Sequence, residues 1–257
     1  MKFKKLSLLA AALIALSASA AAEEPPLSMK DVIAQASWRD FSAKMTMEVG
    51  RGGGNKSTKE IEVFMRETKE GQDLFMSFLA PSNMKGTAFL AFSRFDKKDE
   101  WHMYVRTLRR VKRVPPSPEN FMLRDFLSLY LLKPRAELWN CATGEKTAGA
   151  DGKTLYKTTC SAVDDTTKEY TGYGKLVHLL DPATKIIMKT EFYDPSDRLI
   201  RVQEVTKVEN ISGINIPVQF SANDIAEGVT AAAKLFDVKI NAGIKDDVFT
   251  VRRLKAM

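Results

Sequence analysis

Trp101-His-Met-Tyr-Val-Arg-Thr-Leu-Arg-Arg-Val-Lys-Arg113 is the stretch on which the fold turns. Successive side chains of a β-strand point to opposite faces, so Trp101, Met103 and Val105 share one face while His102, Tyr104 and Arg106 share the other. The alternation breaks near Thr107, which predicts a turn or bulge, and the residues beyond it are basic. On the N-terminal side, Gly86 to Phe92 reads as another strand, stopped by the charged run Arg94 to Glu100. On the C-terminal side, Pro115-Pro-Ser-Pro118 ends the basic segment, and Phe121, Met122, Phe126, Leu129 and Tyr130 recur at helical spacing, predicting a short helix. Aromatic, methionine and arginine side chains are denser here than anywhere else in the chain, with no catalytic nucleophile among them. That mixture favours a binding surface over a reaction centre.

The same reading extends in both directions. Ser28 caps a short helix through Gln35, with Asp31 in its first turn. Met45, Met47 and Val49 alternate with Lys44, Thr46 and Glu48, and Ile61, Val63 and Met65 alternate with Glu62, Phe64 and Arg66 across the turn Arg51-Gly-Gly-Gly-Asn55, giving a long hairpin. Further strands are expected over 72–79, 137–141, 155–160, 175–180, 186–193, 199–208 and 216–220, with Asp181-Pro-Ala-Thr184 and Asp194-Pro-Ser-Asp197 as turns. In Thr230 to Ile240, Ala231-Ala-Ala233 favours a helix, but the alternation of Lys234, Phe236, Val238 and Ile240 with Leu235, Asp237 and Lys239 decides for a strand. Many strands with few helices make a mainly β protein. Its antiparallel sheet must curl to hide one face, with short helices as lid or plug.

The N-terminus reads as a secretory signal peptide over residues 1–22: Lys2, Lys4 and Lys5 precede the apolar run Leu6 to Leu16 and a small-residue cleavage site. That run is too short to span a bilayer. Loss of those three lysines takes the formal charge from +7 to +4, leaving residues 23–257 as one mildly basic domain. Export argues against nucleic acid and leaves anionic membranes or acidic partner surfaces open. It also favours a disulfide between the only two cysteines, Cys141 and Cys160, which lack redox Cys-x-x-Cys spacing and flank the turn-rich segment Thr143 to Gly152.

Several short motifs, in order, resemble the LolA-like outer-membrane lipoprotein-sorting superfamily. They are Lys85-Gly-Thr-Ala-Phe-Leu90, Trp101-x-x-Tyr104 with Arg110-x-x-Arg113, and Phe121-x-x-x-Asp125-Phe126. Leu179-Leu-Asp-Pro-Ala-Thr184, Glu191-Phe-Tyr-Asp194, Gly213-Ile-Asn-Ile-Pro217 and Asp246-Asp-Val-Phe-Thr250 complete the set. Arg106-Thr107 replaces the proline-containing turn usual in that family. The resemblance implies a half-open antiparallel β-barrel covered by short helices. It implies a periplasmic carrier that takes the acyl chains of a lipid or lipoprotein into an apolar cavity, in a branch often found beside inner-membrane exporters. A non-carrying adaptor of such an exporter is the alternative.

Two readings compete at each candidate site. Phe89, Trp101, Met103, Phe121, Met122 and Phe126 are candidates for the lipid cavity or its lid, and Met45, Met47, Met65, Met76, Met84 and Met188 would also suit adaptable cargo. All of these equally suit an ordinary core. Arg106, Arg109, Arg110 and Arg113 are candidates for a phosphate headgroup or an acidic partner, or else form a solvated face. His102 and His178 have no ligand spacing around them, so no metal and no cofactor is expected. No nucleophile elbow, phosphate-binding glycine loop or acid-base dyad is evident, since Asp164 and Asp165, like Asp246 and Asp247, would point apart on strands. An enzyme is not expected.

Overall fold

The computed structural model describes residues 27–52, 54, 56–94, 99–114, 135–149 and 151–256. The expected signal peptide and the expected helix carrying Phe121, Met122 and Phe126 lie outside the described residues.

The alternating segments are strands, and they form one 14-stranded antiparallel sheet. In one limb, β1 (Asp40–Arg51) and β2 (Ser57–Thr68) make the expected long hairpin. It continues outward through β3 (Gly71–Ala80), β4 (Ala88–Arg94), β5 (Glu100–Val105) and β6 (Arg110–Val114). The other limb holds β7 (Trp139–Cys141), β8 (Glu145–Ala148), β9 (Thr154–Ala162), β10 (Lys175–Asp181), β11 (Ile186–Tyr193), β12 (Leu199–Ile211), β13 (Ile214–Asp224) and β14 (Val229–Ile240). Pairing of β14 with β1 joins the limbs, giving the order β6-β5-β4-β3-β2-β1-β14-β13-β12-β11-β10-β9-β7, with β8 beside β7 on β9. Among the described residues the terminal strands do not pair. The result is a strongly curved, half-open barrel.

Period-two patterning makes the inner face. Phe41, Met65, Leu74, Ala91, Trp101 and Val114 stand in one row across β1 to β6. In the other direction Met47, Ala233, Phe220 and Val205 form a row from β1 to β12. All of these belong to one apolar cluster, whose burial drives the sheet to curl around it. The strand over Thr230 to Ile240 is part of this face, so side-chain alternation outweighs the helix propensity of its alanines.

The helices are short and set by caps rather than by periodicity. Helix α1 (Met29–Gln35) begins at Ser28, whose backbone N–H donates to the Asp31 carboxylate at 2.8 Å, and its Val32 packs with Leu27 on Tyr156, Leu180 and Ile187. Two helical regions correct the sequence reading of the paired aspartates as strand residues. Asp164 caps α2 (Asp165–Thr171), accepting from the Thr167 N–H at 2.7 Å, and Gly172, at φ 79°, ends that helix. Asp246 and Asp247 open the 3-10 turn Asp246–Phe249, and Thr250 caps α3 (Val251–Lys255). This C-terminal piece lays Phe249 and Leu254 on Phe75, Ala88, Leu90 and Tyr104, so the outer face of β3 to β5 is covered too. Arg66 fastens it, bridging Asp73 and Asp246 while lying 4.5 Å over the Phe249 ring.

The expected disulfide joins Cys141 to Cys160, direct cross-strand partners on β7 and β9. The segment it encloses is more regular than its turn-rich composition predicts, because β8 pairs with β9 inside it. The strand expected from Glu137 starts at Trp139, after the 3-10 turn Ala136–Leu138.

Candidate functional site

The apolar inner wall changes character toward the terminal strand β6. In the row Ala43, Val63, Met76, Phe89, Met103 and Lys112, running from β1 to β6, the first three are buried. Phe89 and Met103 are half-buried and Lys112 is exposed. Val114, Met84 and Met188 are likewise half-buried against the main cluster. Among the expected cavity residues, the fold brings Phe89, Trp101 and Met103 together on this wall, while Phe121, Met122 and Phe126 lie outside the described residues. Met45, Met47, Met65 and Met76 are fully in the core.

Trp101 adds a polar feature to the wall. Its indole is buried, yet among the described residues the Nε1–H has no hydrogen-bond partner. A buried donor left without an acceptor costs free energy, and a bound carbonyl oxygen would satisfy it.

The break at Thr107 is a tight hairpin tip. Arg106–Leu108 forms a 3-10 turn and Arg109, at φ 48°, takes the left-handed conformation that reverses the chain into β6. The Arg106 guanidinium donates to the Lys85 carbonyl at 3.2 Å, which ties this tip to the β3–β4 turn. Arg110 shares the inner side with Lys112, and Arg113 stands opposite His102 on the outer side. Among the described residues, Arg106, Arg109, Arg110 and Arg113 have no acidic partner.

The second limb carries polar groups on the same inner face. Thr158, His178, Thr190 and Gln203 stand in a row from β9 to β12, all buried. His178 Nδ1 lies 2.9 Å from the Thr190 hydroxyl, and burial pushes its pKa down to about 4, so the imidazole is neutral. One residue pair further along, Arg201 holds Asp224 through Nε at 3.1 Å and a terminal nitrogen at 2.5 Å, and donates to the Tyr173 hydroxyl at 2.8 Å. His102 and His178 sit in different limbs. Among the described residues no three His, Cys, Asp or Glu side chains group to hold a metal ion.

Sequence reasoning singled out Phe89, Trp101 and Met103 and did not single out Phe41, Leu74, Ala91 and Val114, which share the same inner wall. Hairpin register, counted strand by strand, was the signal that joins them into rows.

The comparisons with known proteins agree with this architecture. A family model described as "Uncharacterized protein" matches residues 70–256. The chain belongs to that family. Its fold is LolA-like: a putative outer membrane lipoprotein-sorting protein domain from Vibrio parahaemolyticus superposes with a TM-score of 0.77 at 22% identity, covering 88% of this chain and 96% of that one. A DUF1329 family protein from Desulfovibrio piger gives 0.76 at 19% identity over 88% of this chain and 98% of its own. A LolA superfamily protein from Nitrosomonas europaea gives 0.65 at 15% identity over 88% and 99%. No curated protein matches the sequence.

Proposed function

We propose that this protein is a periplasmic carrier that shelters the acyl chains of a lipid or lipoprotein against the inner wall of its half-barrel and moves them between membranes. The observation that carries the reading is the half-buried apolar wall of Phe89, Met103 and Val114 beside the Trp101 indole N–H, which has no hydrogen-bond partner among the described residues. Acyl methylenes would complete the burial at roughly 25 cal/mol per Å², and an ester or amide carbonyl would accept from the indole. The lipoprotein-sorting fold of the Vibrio neighbour supports the same reading. Nothing in it requires covalent chemistry.

Native mass spectrometry of gently purified mature protein tests it. Lipid-sized adducts, released on denaturation and identified by extraction, are the expected outcome. A clean apo spectrum, with no uptake from added phospholipid, overturns the carrier reading. The cations of the β5–β6 hairpin, which have no acidic partner among the described residues, favour a second one, an adaptor for an inner-membrane exporter. That reading gains if charge reversal at Arg109, Arg110 and Arg113 abolishes partner capture in a chain that never carries lipid.

A further inference from the structure

Strand direction sorts the turns of the sheet onto two rims. The register of each pair places the β1–β2, β3–β4, β5–β6, β9–β10, β11–β12 and β13–β14 connections on one rim. The β2–β3, β10–β11 and β12–β13 turns fall on the other. The large apolar side chains that remain exposed are divided unequally between these rims. Leu108 in the β5–β6 tip (51% exposed), Val163 after β9, Leu199 at the start of β12 and Ile225 in the β13–β14 turn (48%) all lie on the first rim. The fifth, Phe236, is within β14, and the second rim has none among the described residues. Scattered single apolar residues are ordinary on a protein surface; their collection at strand ends along one rim is not.

Charge on that rim is also uneven. Arg51, Lys175 and Arg198 are held by Glu227, Asp197 and Asp194. Lys85, Arg106, Arg109 and Arg110, clustered where the β3–β4 turn meets the β5–β6 tip, have no acidic partner among the described residues. Leu108 is therefore an exposed leucine set among unneutralised cations on a tip stiffened by its 3-10 turn. Apolar side chains that enter the headgroup region next to cations that meet anionic lipid are the two forces that hold peripheral proteins on membranes.

We infer that the protein docks end-on to anionic lipid bilayers through this rim, with Leu108 as the inserted tip and Lys85, Arg106, Arg109 and Arg110 on the headgroups. This deepens the carrier reading by fixing which end of the half-barrel meets the membrane. An acidic protein surface could meet the same cations, but it would give no role to Leu108, Leu199 and Ile225.

The test uses the mature chain and vesicles of phosphatidylethanolamine with phosphatidylglycerol, against vesicles of phosphatidylcholine alone. Because both native cysteines are in the disulfide, a single environment-sensitive dye can be placed by Leu108→Cys, with Phe236→Cys as the control on the strand. Expected are co-sedimentation with the anionic vesicles only, falling about fivefold for each cation removed at Arg109 or Arg110, a blue shift of the dye at 108 and none at 236. Leu108→Ser should weaken sedimentation several-fold while lipid adducts persist in the mass spectrum. Absence of anionic-vesicle binding at low salt, equal shifts at both dye positions, or binding that Leu108→Ser leaves unchanged each overturns the inference. Loss of adducts with vesicle binding intact overturns the carrier reading alone.

Discussion

The two limbs of the half-barrel present the same inner face and build it differently. From β9 to β12 the face is fastened: a disulfide joins β7 to β9, the row Thr158, His178, Thr190 and Gln203 is buried, and Arg201, Asp224 and Tyr173 form a buried network. From β1 to β6 it is apolar, and its side chains grow more exposed toward β6, while the C-terminal turn and α3 cover the outer side. In the carrier reading, the difference separates a frame from a receiving wall. His178 meets Thr190, and Arg201 meets Asp224 and Tyr173, so these groups tolerate little rearrangement, because each displaced partner is left unsatisfied. Apolar contacts are non-directional, so in the carrier reading the β3 to β6 wall would accept chains of varied shape without such a penalty.

If that contrast is right, the largest loss of stability comes from the frame. Asp224→Ala leaves the Arg201 guanidinium buried without its carboxylate, and removing one member of a buried ion pair costs about 3–5 kcal/mol. Urea unfolding of the variant should show a loss of this size with an unchanged slope. A loss under about 1 kcal/mol would mean that water reaches the pair and that the second limb is no firmer than the first.

The contrast was only half legible in the sequence. Alternation in β1, β2, β5 and β14 gave the strands, and with them the apolar wall, because Met45, Met47, Ile61, Val63 and Trp101 repeat at period two. The frame left weaker traces. Arg201 and Asp224 are far apart in the chain and meet only through the β12–β13 register, and His178 is one polar residue in an apolar strand, with Thr190 and Gln203 joined to it by pairing alone. Among the short helices, α1 was legible from its Ser28 cap, whereas α2 and α3 escaped for a different reason: α2 is fixed by Asp164 and Gly172 at its two ends, and seven residues carry too little periodicity to be seen. Leu108 was visible as a residue, but its exposure depended on the tip that interrupts the alternation.

A second, smaller effect follows from His178. The folded protein holds its imidazole neutral until about pH 4, whereas in the unfolded chain a histidine gains its proton near 6.5. Between these values the unfolded state binds the extra proton, so stability is full above about pH 6.5 and falls as pH drops toward 4. The total is about 3 kcal/mol. Urea titrations at pH 7 and pH 4.5 should show this slope, and His178→Asn should flatten it while leaving the carboxylate contribution in place. An unchanged slope in the variant would remove His178 from the frame.

The smallest effect on stability belongs to the apolar wall of β3 to β6, and in the carrier reading it should be the largest on function. Phe89 and Met103 are half-buried cross-strand partners, so truncating either to Ala forfeits only part of a side chain's burial, about 1 kcal/mol. In the carrier reading the missing area is what bound acyl chains would have covered. Phe89→Ala and Met103→Ala should therefore unfold near the wild-type midpoint yet retain less co-purified lipid, with the double variant poorest. Conservative Met103→Leu, which keeps the apolar volume, should restore uptake. Were the alanine variants instead to lose stability like Asp224→Ala while holding their lipid, the wall would be ordinary core, and the division between frame and receiving wall would have to be drawn elsewhere.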